Sequence, residues 1–204
     1  FANKKYHLSV LEPKRKIRVS RTENGGPLGG LRVNKTFTLD KDALKIDVDL
    51  ELVNTGAKTI STSCRVQNIL VGSDGFFTSP TRDWLQAFHK TNESIQTTNA
   101  LNSDNLQFGW LAKTTPDAAV VFAFHLPDIT HAYSWTSNPI DTVEWYYSEL
   151  KLAPEKSWKT SYSINIDPSS NPVFAFDGKA AYGVDSLVLN EAKNFTIAAV
   201  ENIS

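Results

Sequence analysis

Residues 31–53, LRVNKTFTLDKDALKIDVDLELV, decide the fold. Leu44, Ile46, Val48, Leu50 and Leu52 alternate without a slip with Lys45, Asp47, Asp49 and Glu51. Leu31, Val33, Phe37 and Leu39 alternate in the same way with Arg32, Asn34, Thr36 and Thr38. Side chains on a strand point to opposite faces with period two, so the stretch predicts two long strands, each with an oil-facing and a wet side. Asp40, Lys41 and Asp42 between them suit a hairpin corner.

The same pattern extends outward in both directions. Strands are expected over 6–11 and 15–21, separated by Pro13, and then a Gly-rich stretch at 24–30 reads as a flexible loop. That loop lacks the Lys-Ser/Thr pair of a phosphate cradle and leads into a strand, not a helix. Further strands are expected over 58–71, 106–112, 118–126, 132–136, 142–152 and 158–166, with shorter ones over 173–176, 182–189 and 193–200. Residues 72–105 break the alternation. They form a long irregular excursion whose one helical turn is expected at 82–89, and excursions of that length usually carry function. No segment combines a 3.6-residue period with a cap, so the fold class is all-β, a large antiparallel sandwich.

Composition narrows the function. With 41% hydrophobic and 11% aromatic residues in 204, the chain can bury a sizeable core, which argues against disorder. Its 21 basic and 22 acidic residues leave a net charge of −1, without the positive field of a nucleic-acid binder. The one basic cluster, Lys14, Arg15, Lys16, Arg18 and Arg21, reads as the solvated face of a strand. Cys64 is the only cysteine, so there is neither an internal disulfide nor a thiolate metal cage; a buried, inert thiol is expected. No apolar run is long enough to span a membrane.

Glycosylation acceptor patterns occur at Asn34, Asn92, Asn194 and Asn202, with Asn34 expected on the wet side of its strand. They point to the outside of a cell, and the absence of disulfides points to a bacterial or archaeal surface. The chain begins at Phe1 and has no methionine, which suggests a mature product or an excised piece. Residues 167–172 (DPSSNP) are linker-like and divide the chain into a sandwich over 1–167 and C-terminal strands over 168–204. The last strand needs a sheet edge, which this domain, an adjoining domain or a neighbouring copy could supply.

Residues 31–39 and 44–56, which end in Asn54, Thr55 and Gly56, resemble the galactose mutarotase-like β-supersandwich superfamily. Gly109-Trp110, the strand at 143–147 and the LKLAPEKSW turn at 150–158 strengthen the likeness, which covers residues 5–167. The resemblance implies contact with carbohydrate, through members that range from aldose epimerases to accessory domains without sugar chemistry. The epimerases use a His donor and a Glu base; the possible donors here are His89, His125 and His131 and the possible bases Glu144 and Glu149, with His125 and Glu144 the leading pair, and none lies in a recognisable epimerase motif.

Trp84 and Trp135, in loop-rich surroundings with Arg82, Asp83, His89 and His131, form the candidate carbohydrate-binding set. Trp145 and Trp158 read as core. The histidines lack metal-site spacing and the acidic pairs lack a calcium-loop pattern, so neither a metal nor a cofactor is implied. The expected function is a non-catalytic extracellular or cell-surface module with a structural or carbohydrate-binding role. Two alternatives stay open: an aldose-epimerase-like or other carbohydrate-active enzyme fragment, and a self-assembling surface subunit that exchanges terminal strands.

Overall fold

The structure, a computed structural model, describes residues 4–41, 43–71, 76–78, 100–103, 109–114, 117–137, 140–169, 171, 173–184 and 195–199. In chain order the strands are β1 (His7–Glu12), β2 (Lys16–Thr22), β3 (Leu31–Leu39), β4 (Lys45–Asn54), β5 (Ile60–Thr62) and β6 (Arg65–Val71). They continue as β7 (Phe76–Thr78), β8 (Ala100–Ser103), β9 (Trp110–Thr114), β10 (Ala119–Phe124), β11 (Ile129–Ser137) and β12 (Ile140–Tyr147). The last five are β13 (Leu150–Leu152), β14 (Ser157–Asp167), β15 (Val173–Phe176), β16 (Ala180–Val184) and β17 (Phe195–Ala199). The helical content of the described residues is two single 3-10 turns, Gly26–Leu28 and Leu126–Asp128.

An eight-stranded sheet, ordered β1-β2-β3-β4-β14-β10-β9-β7, forms the central layer. A four-stranded sheet, β6-β12-β11-β8, packs on one face of it. Between the two lie Val48, Leu50, Val66, Leu111, Phe122, Phe124, Val143, Trp145, Tyr147 and Tyr162. These are the alternating apolar positions of their strands, whose burial drives the two layers together. On the other face of the large sheet, the three-stranded sheet β15-β16-β17 roofs the β9–β10 end. Val173 and Ala181 cluster there with Trp110, Ala112, Ala119 and Val121.

The strands expected over 31–39 and 44–53 form as β3 and β4, paired from Leu31↔Asn54 to Leu39↔Ile46. At their far end Asn54 is fully buried. Its Nδ2 donates to the carbonyls of Lys58 (2.7 Å) and Leu152 (2.8 Å), and its Oδ1 accepts from the Gly56 N–H (2.9 Å). Gly30, with φ +89°, lies so close that a Cβ there would sit 2.7 Å from the Gly56 backbone.

Several expectations are corrected. The single strand expected over 58–71 breaks at Ser63 and Cys64 into β5 and β6, and the one over 142–152 breaks at Ser148 and Glu149 into β12 and β13. The two breaks match because β6 pairs with β12 while β5 pairs with β13, so one hydrogen-bonded ribbon changes sheet at a single level. The Gly-rich loop is not slack: Gly30 donates to Glu23 O (2.7 Å) and accepts from the Thr55 N–H (2.8 Å). Asn34 is not on an open wet surface. It is 8% exposed, with Nδ2 donating to Glu51 (2.8 Å), because long neighbouring side chains pave that face. Lys159 reaches Glu51 at 3.2 Å, and Arg18 donates to Thr36, also at 3.2 Å. Asp42 and the expected helical turn at 82–89 lie outside the described residues.

Candidate functional site on the outer face of the four-stranded sheet

Trp145 sets this site by pointing away from it. Its ring packs inward 5.0 Å from Phe124 and 4.8 Å from Tyr162, and its Nε1 donates to the Tyr147 hydroxyl at 2.8 Å. Burying that large ring with its donor satisfied fixes the register of β12. Glu144 and Tyr146, one residue to either side, must then face outward.

The neighbouring strands converge on them. Gln67 stands across from Glu144 and Arg65 across from Tyr146 on β6, while Tyr133 and His131 occupy the matching positions on β11. Gln67 Nε2 donates to Glu144 Oε1 at 2.7 Å. The Arg65 guanidinium lies 3.2 Å from Oε2, and the Tyr146 hydroxyl donates to the same oxygen at 3.4 Å. Arg65 also donates to the Tyr146 oxygen (3.4 Å) and sits 5.8 Å from the centre of its ring. His131 meets the ring edge-on at 5.6 Å. The Tyr146 oxygen first, and then the Glu144 carboxylate, raise the Arg65 pKa above its ordinary value. Glu144 itself is only 5% exposed. Both its oxygens accept hydrogen bonds, so its carboxyl group is fixed in place.

Two strand positions from Glu144 on the same face, Thr142 is 7% exposed and its Oγ1 has no hydrogen-bond partner among the described residues. A buried hydroxyl left unsatisfied carries a cost that an incoming polar group would relieve.

His131 and Glu144 are thus brought onto one surface, and Trp135 is paired with Thr142 in the backbone register of β11 and β12. His125 is not part of this surface. It ends β10 on the opposite side of the sandwich, exposed, with Nδ1 3.0 Å from Asp128. There it lines an open groove of about 580 Å³ with Thr38, Asp47, Asp49, Ser161 and Ser163. The His125–Glu144 acid–base pair therefore does not assemble. Arg82, Asp83, Trp84 and His89 lie outside the described residues, as do Asn92, Asn194 and Asn202. Among the described residues no three His, Cys, Asp or Glu side chains group as metal ligands. Also among them, no helix is long and apolar enough to cross a membrane.

Arg65, Gln67 and Tyr146 are the members of this cluster that reading the sequence missed. Their alternation with Val66 and Trp145 puts each on the outer side of its own strand, but only the pairing of β6 with β12, across some 80 residues of chain, makes them neighbours.

No protein-family model and no curated protein sequence matches the chain. Solved structures do. A galactose mutarotase-like protein from Lactobacillus casei superposes with a TM-score of 0.56 at 9% identity, over 79% of this chain and 72% of that one. The fold is galactose mutarotase-like. The supersandwich also matches a TPR-domain containing protein from Parabacteroides distasonis, with a TM-score of 0.60 at 11% identity, over 84% of this chain and 36% of that one. A GH36 α-galactosidase from Geobacillus stearothermophilus matches with a TM-score of 0.54 at 11% identity, over 81% and 27%. The same fold thus makes up most of one chain and a minor part of the two others.

Proposed function

We propose that this chain is a non-catalytic β-supersandwich module of an extracellular or cell-surface protein, and that it contacts carbohydrate through the face around Glu144. One observation carries this reading: an ion-paired carboxylate, an amide, a guanidinium, an aromatic ring and an orphan hydroxyl share one sheet face. Sugar hydroxyls need such acceptors and donors, and an aromatic ring beside them offers an apolar surface for the C–H side of a pyranose. The fold's occurrence in a GH36 α-galactosidase fits the substrate class.

Two features favour binding over turnover. Both Glu144 oxygens already accept hydrogen bonds from protein donors, and His131, the histidine on this face, packs edge-on against the Tyr146 ring. An extracellular setting is supported by the acceptor patterns at Asn92, Asn194 and Asn202; detection of glycan on those residues in protein from its source would bear it out.

The binding test is a titration of 15N-labelled protein with a panel of monosaccharides and oligosaccharides. A ligand should shift the Gln67 side-chain amide and the β12 backbone amides, and Arg65→Ala and Glu144→Gln should each weaken it at least tenfold. Polarimetry of fresh α-galactose and α-glucose should show mutarotation at the buffer rate. Acceleration that Glu144→Gln abolishes would replace this reading with an epimerase. No binding across the panel would leave the module a structural one.

A further inference from the structure

We infer that the free edge of β1 is a docking site for an extended peptide segment in which apolar and acidic residues alternate, added to the large sheet as a ninth strand. The surface is separate from the Glu144 face, so the inference stands or falls independently of the carbohydrate reading.

The first observation is a row of side chains crossing the sheet. Val10, Ile17, Phe37, Val48, Tyr162 and Phe124 are direct cross-strand partners from β1 to β10, and therefore share one face. At the Val48 end the four-stranded sheet buries this row completely. Toward β1 the cover runs out: Ile17 is 38% exposed, Val10 63%, and Leu8 in the next row 59%. The oil-facing side of the sheet thus continues past its covering layer into water. The second observation is the edge itself. Among the described residues β1 pairs only with β2, and His7–Val10 run in unbroken register with Ser20–Ile17 before a bulge beyond Val10. Such an edge is a template for another strand, with main-chain hydrogen bonds for affinity and alternate side chains for specificity.

The third observation chooses the occupant. Residues 4–41 hold ten Lys and Arg against three Asp and Glu, whereas the rest of the chain holds 11 against 19. On the face of the hairpin opposite the apolar row, Lys16 stands between Thr38 and Glu12, and Arg18 between Thr36 and Ser9, so these two cations face one carboxylate. A strand laid against β1 would extend the apolar row with every second residue. Its other residues would lie one strand away from Lys16 and Arg18, where carboxylates are favoured. A second copy joined through its own β1 would bring two strongly basic hairpins together. A bilayer surface would engage one face only, and here apolar groups and cations are on opposite faces.

The test uses the full chain and a nine-residue peptide of alternating Val and Glu, with an alternating Val and Lys peptide as control. Fluorescence anisotropy should show binding of the first and at least tenfold weaker binding of the second. Hydrogen exchange should slow at His7–Val10. Leu8→Lys with Val10→Lys, both at exposed positions and checked for an unchanged melting temperature, should weaken binding at least tenfold. Lys16→Glu with Arg18→Glu should reverse the preference between the two peptides. Equal binding of both peptides overturns the proposal, since apolar adhesion alone would explain it. So does a concentration-dependent dimer abolished by Leu8→Lys with Val10→Lys, which makes a second copy the occupant. Sedimentation with phosphatidylserine vesicles in the absence of peptide binding overturns it in favour of a membrane.

Discussion

Lys35 and Cys64 show what a strand's inner side does to ionisable groups. Lys35 occupies an oil-facing position of β3, its Nζ 5.3 Å from the ring centres of both Phe37 and Tyr162. Burial pulls its pKa below the usual lysine value, with nearby Cys64 opposing. Burial likewise pushes the Cys64 thiol up to about 11, with Lys35 opposing. The thiol is therefore protonated at neutral pH, and iodoacetamide at pH 7.5 should label it far more slowly in the folded protein than in urea. A group with a raised folded pKa keeps its proton while the unfolded chain loses it, so its contribution is complete below pH 9.0 and fades as pH rises towards about 11. Tyr162, also raised by burial, acts in the same direction, whereas the depressed Lys35 opposes both. Urea titrations at pH 9 and pH 11 should show stability falling across that interval. Cys64→Ala should flatten the fall by at most about 3 kcal/mol. Asn54 gives a second residue-scale expectation. Its substitution by Ala leaves two carbonyls and an N–H unsatisfied inside the protein, and should cost about 3 kcal/mol in urea unfolding.

At the scale of elements, two positions control the site from behind. Gly109, immediately before β9, has its carbonyl accepting from the Phe124 N–H at 2.7 Å, and a Cβ at Gly109 would collide with the Phe124 carbonyl oxygen. Gly109→Ala must separate β9 from β10, and a loss of more than about 3 kcal/mol, read as a lowered melting temperature, is expected. Trp145→Ala removes the ring that fixes β12. It should destabilise by about 3–5 kcal/mol and broaden the amide resonances of Gln67 and Glu144, which never touch the deleted ring. Much of this layer was legible beforehand. Strict alternation marked the inner side of β4 from Val48 to Leu52 correctly, but in β3 and β14 it held only in part, since Leu39 and Ile166 are exposed while Asn34, Thr36 and Asn165 are buried. The breaks at Ser63–Cys64 and Ser148–Glu149 were not legible. Hydropathy runs on through them, and what ends each strand is the change of pairing partner, a property of two distant segments. Arg65 was hidden for the same reason, and so was its place beside the candidate base Glu144: it looks like an ordinary charge on a wet strand until the register makes the two neighbours.

For the whole molecule, protection against hydrogen exchange should be graded across the large sheet. Amides of β4, β14 and β10, in the middle of the order and all contributing to the core under the four-stranded sheet, should exchange last, and those of β1 first. A β1 that exchanged as slowly as β14 would contradict the exposed edge. The three-layer arrangement was legible only in part, since the C-terminal strands could be foreseen as strands but not where they would dock. Their docking on Trp110, Ala112 and Val121 bears on any attempt to shorten the protein at the linker-like residues 167–172. Asp167 is completely buried and its Oδ1 accepts from the Ser169 N–H at 2.8 Å, so cutting there severs a tied-down turn, not a free tether. A chain ending at Asp167 would emerge with a bare tryptophan and a bald patch of alanine and valine on its back. It should precipitate or bind hydrophobic dyes, so the whole length is the smaller risk for anyone preparing it.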